Sequence, residues 1–159
     1  MPSTRNAPYN SRPAPMPTTP LANVVLRDEP GSLNAVLSMV EKLGINLSAI
    51  SSSTDGSTGT SIVTLGFENT RDFQNVVRSL RSNGYTVTTR DAFRLFVANQ
   101  PGSLQSNILR GLSRRGVNID KIISGTNNSI FVLVDTPDEA LNVLRPFLTQ
   151  PEPEESLVS

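Results

Sequence analysis

Apolar residues recur along this chain with two periods, and the two periods alternate. Residues 22–27 form a short apolar run of the strand type. Leu33, Val36, Leu37, Val40 and Leu43 then share one face of a helix. Gly44 stands where a left-handed helix stop is expected. Ile45, Leu47 and Ala49 alternate with Asn46 and Ser48, as in a half-buried strand. Residues 51–60, rich in Ser, Thr and Gly, read as a long mobile hairpin loop. Val63, Leu65 and Phe67 alternate in the next strand. Asn69-Thr70 then caps a helix that carries Phe73, Val76, Val77 and Leu80 on one face. Asn83-Gly84 ends it, and Tyr85, Val87 and Thr89 alternate in a fourth strand. The predicted order is βαββαβ, the ferredoxin-like arrangement.

The second half retraces the first. Residues 93–98 read as a strand, and Leu104, Ile108 and Leu112 mark a helix that Gly111 weakens. Residues 117–123 and 129–134 read as strands around a turn at Gly125-Thr126-Asn127-Asn128. Thr136 as N-cap, Pro137 at the first helical position and Glu139 two further on start a last helix, which Pro146 stops. The fourth strand of this second set is not evident, and Leu157-Val158 offers at most a stub. Residues 86–97 have the alternative of running as one long bent strand that serves both sets.

Between the halves a whole phrase repeats. Asp28-Glu29-Pro30-Gly31-Ser32-Leu33 leads through a helix pattern to Gly44-Ile45-Asn46-Leu47. Asn99-Gln100-Pro101-Gly102-Ser103-Leu104 leads through another to Gly116-Val117-Asn118-Ile119. The offset is 71 residues at the Pro-Gly and 72 at the later glycine. That period is too long for a solenoid and fits a duplicated small domain. The expected organisation is a disordered proline-rich arm over 1–20, modules over 21–91 and 92–148, and an acidic tail over 149–159. Six of the first twenty residues are proline, and the segment holds too little apolar surface to offset its ordering entropy.

Composition narrows the function classes. With 14 basic and 14 acidic residues, the formal charge is zero. Nothing drives the chain as a whole toward nucleic acid or anionic lipid. No apolar run approaches the length of a membrane span, and no secretory leader is evident, so the expected location is the cytosol. Cysteine and histidine are both absent. That excludes disulfides, Cys/His metal sites and any catalysis needing a thiol or an imidazole. The only lysines, Lys42 and Lys121, fall isolated on predicted surfaces. Gly56-Ser57-Thr58-Gly59 matches the GxxG of KH domains but lies in a predicted hairpin without basic neighbours. The strands also lack the stacking aromatics of RNA-recognition motifs. The chain is therefore expected to be no enzyme, to need no cofactor or metal, and to bind no nucleic acid or membrane. Arg78, Arg81, Arg110, Arg114 and Arg115 are expected on solvated helix faces.

The repeated phrase resembles the ACT domain, a small amino-acid-sensing regulatory module: Asp/Asn-x-Pro-Gly-x-Leu, a helix, then Gly-Ile/Val-Asn-Ile/Leu. The resemblance covers roughly residues 21–148, in two copies. It implies an α+β protein of two tandem ferredoxin-like βαββαβ modules, with helices on one face of antiparallel sheets. It also implies a ligand, an amino acid or similar small molecule, at the seam of the modules. Each Pro-Gly turn exposes backbone at a helix N-terminus, which suits an anion such as an α-carboxylate. The expected contacts are Asp28, Glu29, Pro30, Gly31, Ser32, Leu33 and Asn46 in the first copy. In the second they are Asn99, Gln100, Pro101, Gly102, Ser103, Leu104 and Asn118. Asn99 and Asn118 match the family's ligand-bonding positions more closely, while Asp28 replaces an amide by a carboxylate suited to an α-ammonium group. All four polar residues also suit turn and strand-start chemistry. The expected role is a non-catalytic regulator that passes ligand binding to a partner enzyme or regulator, with homo-oligomers possible. The alternative is a scaffolding or assembly subunit that uses the fold without a ligand.

Overall fold

The computed structural model describes residues 16–97 and 104–149, apart from the side chains of 104–106. The first six elements are β1 (Thr19–Arg27), α1 (Ser32–Lys42), β2 (Leu47–Asp55), β3 (Thr60–Phe67), α2 (Thr70–Ser82) and β4 (Thr86–Phe96). A π-helical stretch, Leu104–Leu109, runs into α3 (Arg110–Arg114). Then follow β5 (Ile119–Ser124), β6 (Ser129–Val134), α4 (Pro137–Leu144) and a 3-10 turn, Arg145–Phe147. One six-stranded sheet runs in the order β2-β3-β1-β4-β6-β5, and its named strand pairs are all antiparallel. The chain is α+β with an antiparallel sheet and helices, as the periodicities predict.

The caps explain the boundaries. Asn69 accepts the Asp72 N–H at 2.8 Å and so starts α2. Gly44, Gly84 and Gly116 hold φ near +70 to +90° where helices end. Thr136 does not cap α4 as expected; its hydroxyl bonds the neighbouring Asp135 carboxylate instead, at 3.1 Å. Pro137 does sit at the helix start.

Two expectations change in the first half. Residues 51–55 are not loop: β2 extends to Asp55, and only 56–59 turn. Exposed Ser and Thr satisfy a pleated strand whose outward face is wet, so composition alone misleads there. The turn is pinned by Asp55, whose carboxylate accepts the Ser57 N–H (3.0 Å) and hydroxyl (2.6 Å); these bonds hold its pKa below the usual carboxylate value. The strict alternation through Leu47 and Ala49 also fails. A bulge between them buries Ser48 and Ala49 together.

β4 is the one long strand of the alternative reading. Its residues 86–92 pair with β1 and its residues 93–96 pair with β6. The expected module boundary at 91/92 thus falls inside a single strand. Among the described residues no strand follows α4, and Leu157-Val158 lie outside them.

The core divides in three. α1 and α2 cover Val24, Leu26, Val63, Leu65, Phe67 and Val87 with Val36, Val40, Val76, Val77 and Leu80. Ile108, Leu112, Ala140 and Leu144 cover Phe93, Leu95, Ile130, Val132 and Val134. The third cluster holds strand residues alone: Leu21, Ala49, Ala92, Ile123, Phe131 and Leu133. Along β4, Val87, Phe93 and Leu95 point to the helix-covered side and Ala92 to the other, as period-2 alternation requires. The sheet therefore curls with its helices outside and this third cluster within.

Its two ends meet where Ala49 bridges Gly125 and the Thr126 N–H donates to the Ser48 carbonyl at 2.8 Å. Glycine at 125 is what permits the contact. A Cβ there would stand 2.7 Å from Ser129 Oγ, 2.8 Å from Phe131 Cε2 and 2.9 Å from the Ser48 carbonyl oxygen. Gly125→Ala is expected to cost roughly 1–3 kcal/mol by overpacking. In hydrogen exchange the Thr126 amide should lose protection before the β1–β3 ladder does; equal protection in both proteins would remove Gly125 from the closure. Gly111 also has a packing role. Its Cβ would meet Val143 Cγ1 at 2.7 Å, so glycine lets α3 and α4 approach closely.

Candidate functional site

The turn before α1 is built from four residues with distinct tasks. The Ser32 N–H donates to the Glu29 carbonyl at 3.3 Å, with Pro30 and Gly31 between them. Gly31 takes φ +89° and ψ −14°, the third position of a type II turn, which Pro at the second position favours. The Ala35 N–H then donates to the Gly31 carbonyl at 3.0 Å and begins the helix. Unlike α2, α1 has no side-chain cap and no acidic residue in its first turn. Its first turn therefore carries no acid of its own at the positive end of the dipole, and the nearest acids in sequence are Asp28 and Glu29 of the preceding turn.

A Cβ at Gly31 would meet nothing within 4 Å. The glycine is there for its backbone angle and not for space. Gly31→Ala is expected to cost about 1–2 kcal/mol in denaturant unfolding, the penalty of a left-handed alanine. Gly31→Asn should cost less, because asparagine tolerates that region. Equal losses for both would mean the turn is held by something other than its φ.

Beside this turn lies a groove of about 170 Å³ lined by Arg27, Asp28, Glu29, Ser32 and Leu33, with Ser52, Thr54 and Ser61 of the β2–β3 hairpin. Four of the residues expected at the site, Asp28, Glu29, Ser32 and Leu33, thus meet. The strand hydroxyls and Arg27 were not expected. Once residues 51–60 are read as loop, nothing in the sequence places Ser52 and Thr54 on a strand facing α1.

Asn46 is elsewhere. It lines a second groove of about 420 Å³ with Leu37, Val40, Glu41 and Ile45, at the other end of α1. Eleven helical residues put the two ends about 16 Å apart. Asn118 is exposed at the start of β5. Its amide Nδ2 donates to Asp120 at 3.3 Å, its backbone N–H donates to Asp135 Oδ1 at 3.0 Å, and Asp120 pairs with Arg90. Asn99, Gln100, Pro101, Gly102 and Ser103 lie outside the described residues, as does the Leu104 side chain; the backbone of Leu104 opens the π-helical stretch.

A second constellation, unannounced by any motif, ties the two halves together. Arg94 of β4 donates from Nη1 to Glu68 Oε2 (2.9 Å) and from Nε to Ser129 Oγ (3.1 Å). Its guanidinium stands 5.2 Å from the Phe96 ring centre and 5.3 Å from that of Phe131. The Thr126 hydroxyl also donates to Glu68, at 3.0 Å. The Arg94 bond, partly opposed by burial and aided by Thr126, holds the Glu68 carboxyl below its usual value. Lys121, expected on an isolated surface, is half-buried and donates to Thr64 Oγ1 at 3.2 Å; Thr64 in turn donates to Asn23 at 2.6 Å. The sequence hides these hydrogen bonds because each joins residues at least 26 positions apart.

Among the described residues no group of three or more acidic, His or Cys side chains could hold a metal ion. Nor is any of their helices long and apolar enough to cross a membrane.

A model of the ACT domain matches residues 21–84, which span β1 to the end of α2. No curated protein sequence matches the chain. Among solved structures, a protein from Bacteroides thetaiotaomicron superposes with a TM-score of 0.71 at 23% identity, over 81% of this chain and 88% of that one. The ligand-free regulatory subunit of aspartate kinase from Thermus thermophilus gives 0.53 at 16% identity, over 82% and 89%. The corresponding subunit from Thermus flavus gives 0.52 at 15%, over 81% and 92%. At these identities the likeness is one of fold.

Proposed function

We propose that the chain is a non-catalytic regulator, a tandem pair of ACT modules that binds an amino acid and transmits the event to a protein partner. The observation that carries this reading is the uncapped N-terminus of α1 behind the Pro30-Gly31 turn, within the stretch that matches the ACT model. An α-carboxylate meets the uncapped amides of α1, with Arg27 lining the same groove. Asp28 or Glu29 accepts from the α-ammonium group. Ser52, Thr54 and Ser61 offer hydroxyls to the remainder of the ligand. In the second copy of the phrase, Asn99, Pro101, Gly102 and Asn118 are assigned the same purpose. Named regulatory subunits of aspartate kinase among the structural neighbours support a regulatory role. The ligand acts through its difference in affinity for two arrangements of the modules, and the Arg94–Glu68 and Ala49–Gly125 contacts are where those arrangements differ.

The test separates a sensor from a scaffold. Asp28→Ala, Asn99→Ala and Asn118→Ala are each made in the full chain, and calorimetric titration with amino acids is compared with thermal stability. A sensor loses ligand heat in one or more variants while the melting temperature without ligand barely changes. A scaffold shows no ligand heat in any protein, the original included.

A further inference from the structure

Part of one edge of β4 is covered by no strand among the described residues. The Asp28 N–H donates to the Gly59 carbonyl at 2.9 Å, in register with the β1–β3 ladder. Even-numbered residues of β1 therefore bond toward β3 and odd-numbered ones toward β4. Since Thr19 stands opposite Ala92, even-numbered residues of β4 bond toward β1. Odd-numbered ones face the other edge: Phe93 and Leu95 meet β6, and the Val97 N–H reaches the Asn128 carbonyl at 3.2 Å. β6 pairs with residues 93–96 alone. Val87, Thr89 and Asp91 thus turn their backbone groups to an edge with no partner strand among the described residues. One of these groups is met: Arg81 Nη2 donates to the Val87 carbonyl at 2.9 Å.

Along this edge runs a groove of about 860 Å³ between α2 and β4. Phe73 and Val77 supply apolar surface, Arg78 and Arg81 supply charge, and Thr89 forms the strand side. Neither arginine has an ion pair among the described residues. A strand edge beside a helix, with apolar and charged walls, is the setting in which an extended segment adds as a further strand.

We propose that residues 150–159 of a second copy of this chain occupy the groove as an added strand. That segment carries Glu152, Glu154 and Glu155 and no basic residue, which complements Arg78 and Arg81. Its prolines, at 151 and 153, are two apart. In an extended strand both ring nitrogens face one edge, leaving Glu152, Glu154, Ser156 and Val158 to bond along the other. Residues that bond to Val87 and Thr89 share their face, the α2 face, so Glu152 and Glu154 arrive on the side of the arginines. The proline edge, lacking donors, then faces solvent and ends the sheet.

Geometry assigns the segment to a second copy. Phe147 and Leu148 pack on the cluster that also holds Val97, at the far end of β4. From Thr89 to Val97 the strand covers about 26 Å. The three residues from Thr149 to Glu152 reach about 10 Å at full extension.

Sedimentation equilibrium on the full chain tests the proposal. A monomer–dimer equilibrium is expected. Arg78→Glu sets like charges together and should weaken it about tenfold or more. Adding Glu154→Lys to Arg78→Glu should restore it. Thr89→Pro removes an amide that the β1 ladder does not use, and it should weaken the dimer with that ladder intact by hydrogen exchange. A chain monomeric at every concentration overturns the proposal, as does a dimer indifferent to Arg78→Glu and Thr89→Pro. A monomer whose Thr89 amide still resists exchange places the segment in its own copy and equally overturns it.

Discussion

Phe131→Ala is expected to lower the unfolding free energy by about 3–5 kcal/mol, the range for emptying a buried phenylalanine site. The ring is fully buried at the centre of the helix-free cluster. Its surroundings cannot close over the gap. Gly66 and Gly125 face it with bare backbone, and a Cβ at either would already touch the ring, at 3.3 and 2.8 Å. The Arg94 guanidinium also loses one of its two aromatic faces. Urea unfolding measures the loss directly. Phe73, half-buried at the rim of the α1–α2 cluster, is the control, and its alanine variant should cost less. A loss below about 1 kcal/mol at Phe131, the level of an ordinary surface change, would mean that the third cluster does not hold the curled sheet together.

That cluster also marks where the sequence stops being legible. Helix faces were readable because Leu33 to Leu43 and Phe73 to Leu80 repeat at the helical period, and a period is a local property. The glycines at 44 and 84 announced helix ends for the same reason. Alternation in β3 and at the start of β4, and short apolar runs in β1 and β6, named the strands, yet neither pattern could say what covers their second face. Leu21, Ala92 and Leu133 are joined only by the curl of the sheet, and no local pattern encodes that. β2 was cut short because serine and threonine satisfy a wet strand face as well as a loop. The fusion of two strands into β4 was legible as an alternative, since residues 86–97 contain no proline or glycine. At the site, the Pro30-Gly31 turn and its helix could be read from the sequence. The hydroxyls of Ser52, Thr54 and Ser61 could not, because they reach the turn through β2–β3 pairing.

The second large effect expected is stabilisation by ligand. A compound that binds only the folded chain, at 100 times its dissociation constant, adds about 2.7 kcal/mol. For a chain of this length that corresponds to a rise in Tm of about 5–10 °C. The effect should be selective. On the proposed reading the turn presents the same amides to any α-carboxylate, and discrimination is expected from the ligand's side chain at Ser52, Thr54 and Ser61. It should also require both charges of the amino acid. A des-amino analogue leaves Asp28 and Glu29 without a cation, and an amide analogue leaves α1 without an anion.

The most direct measurement is therefore the melting temperature of the full chain with each standard amino acid in turn, at millimolar concentration. The sensor account predicts that one amino acid, or a few of like side chain, raises it by about 5–10 °C while the rest leave it unchanged. A melting temperature that no amino acid moves would contradict the account.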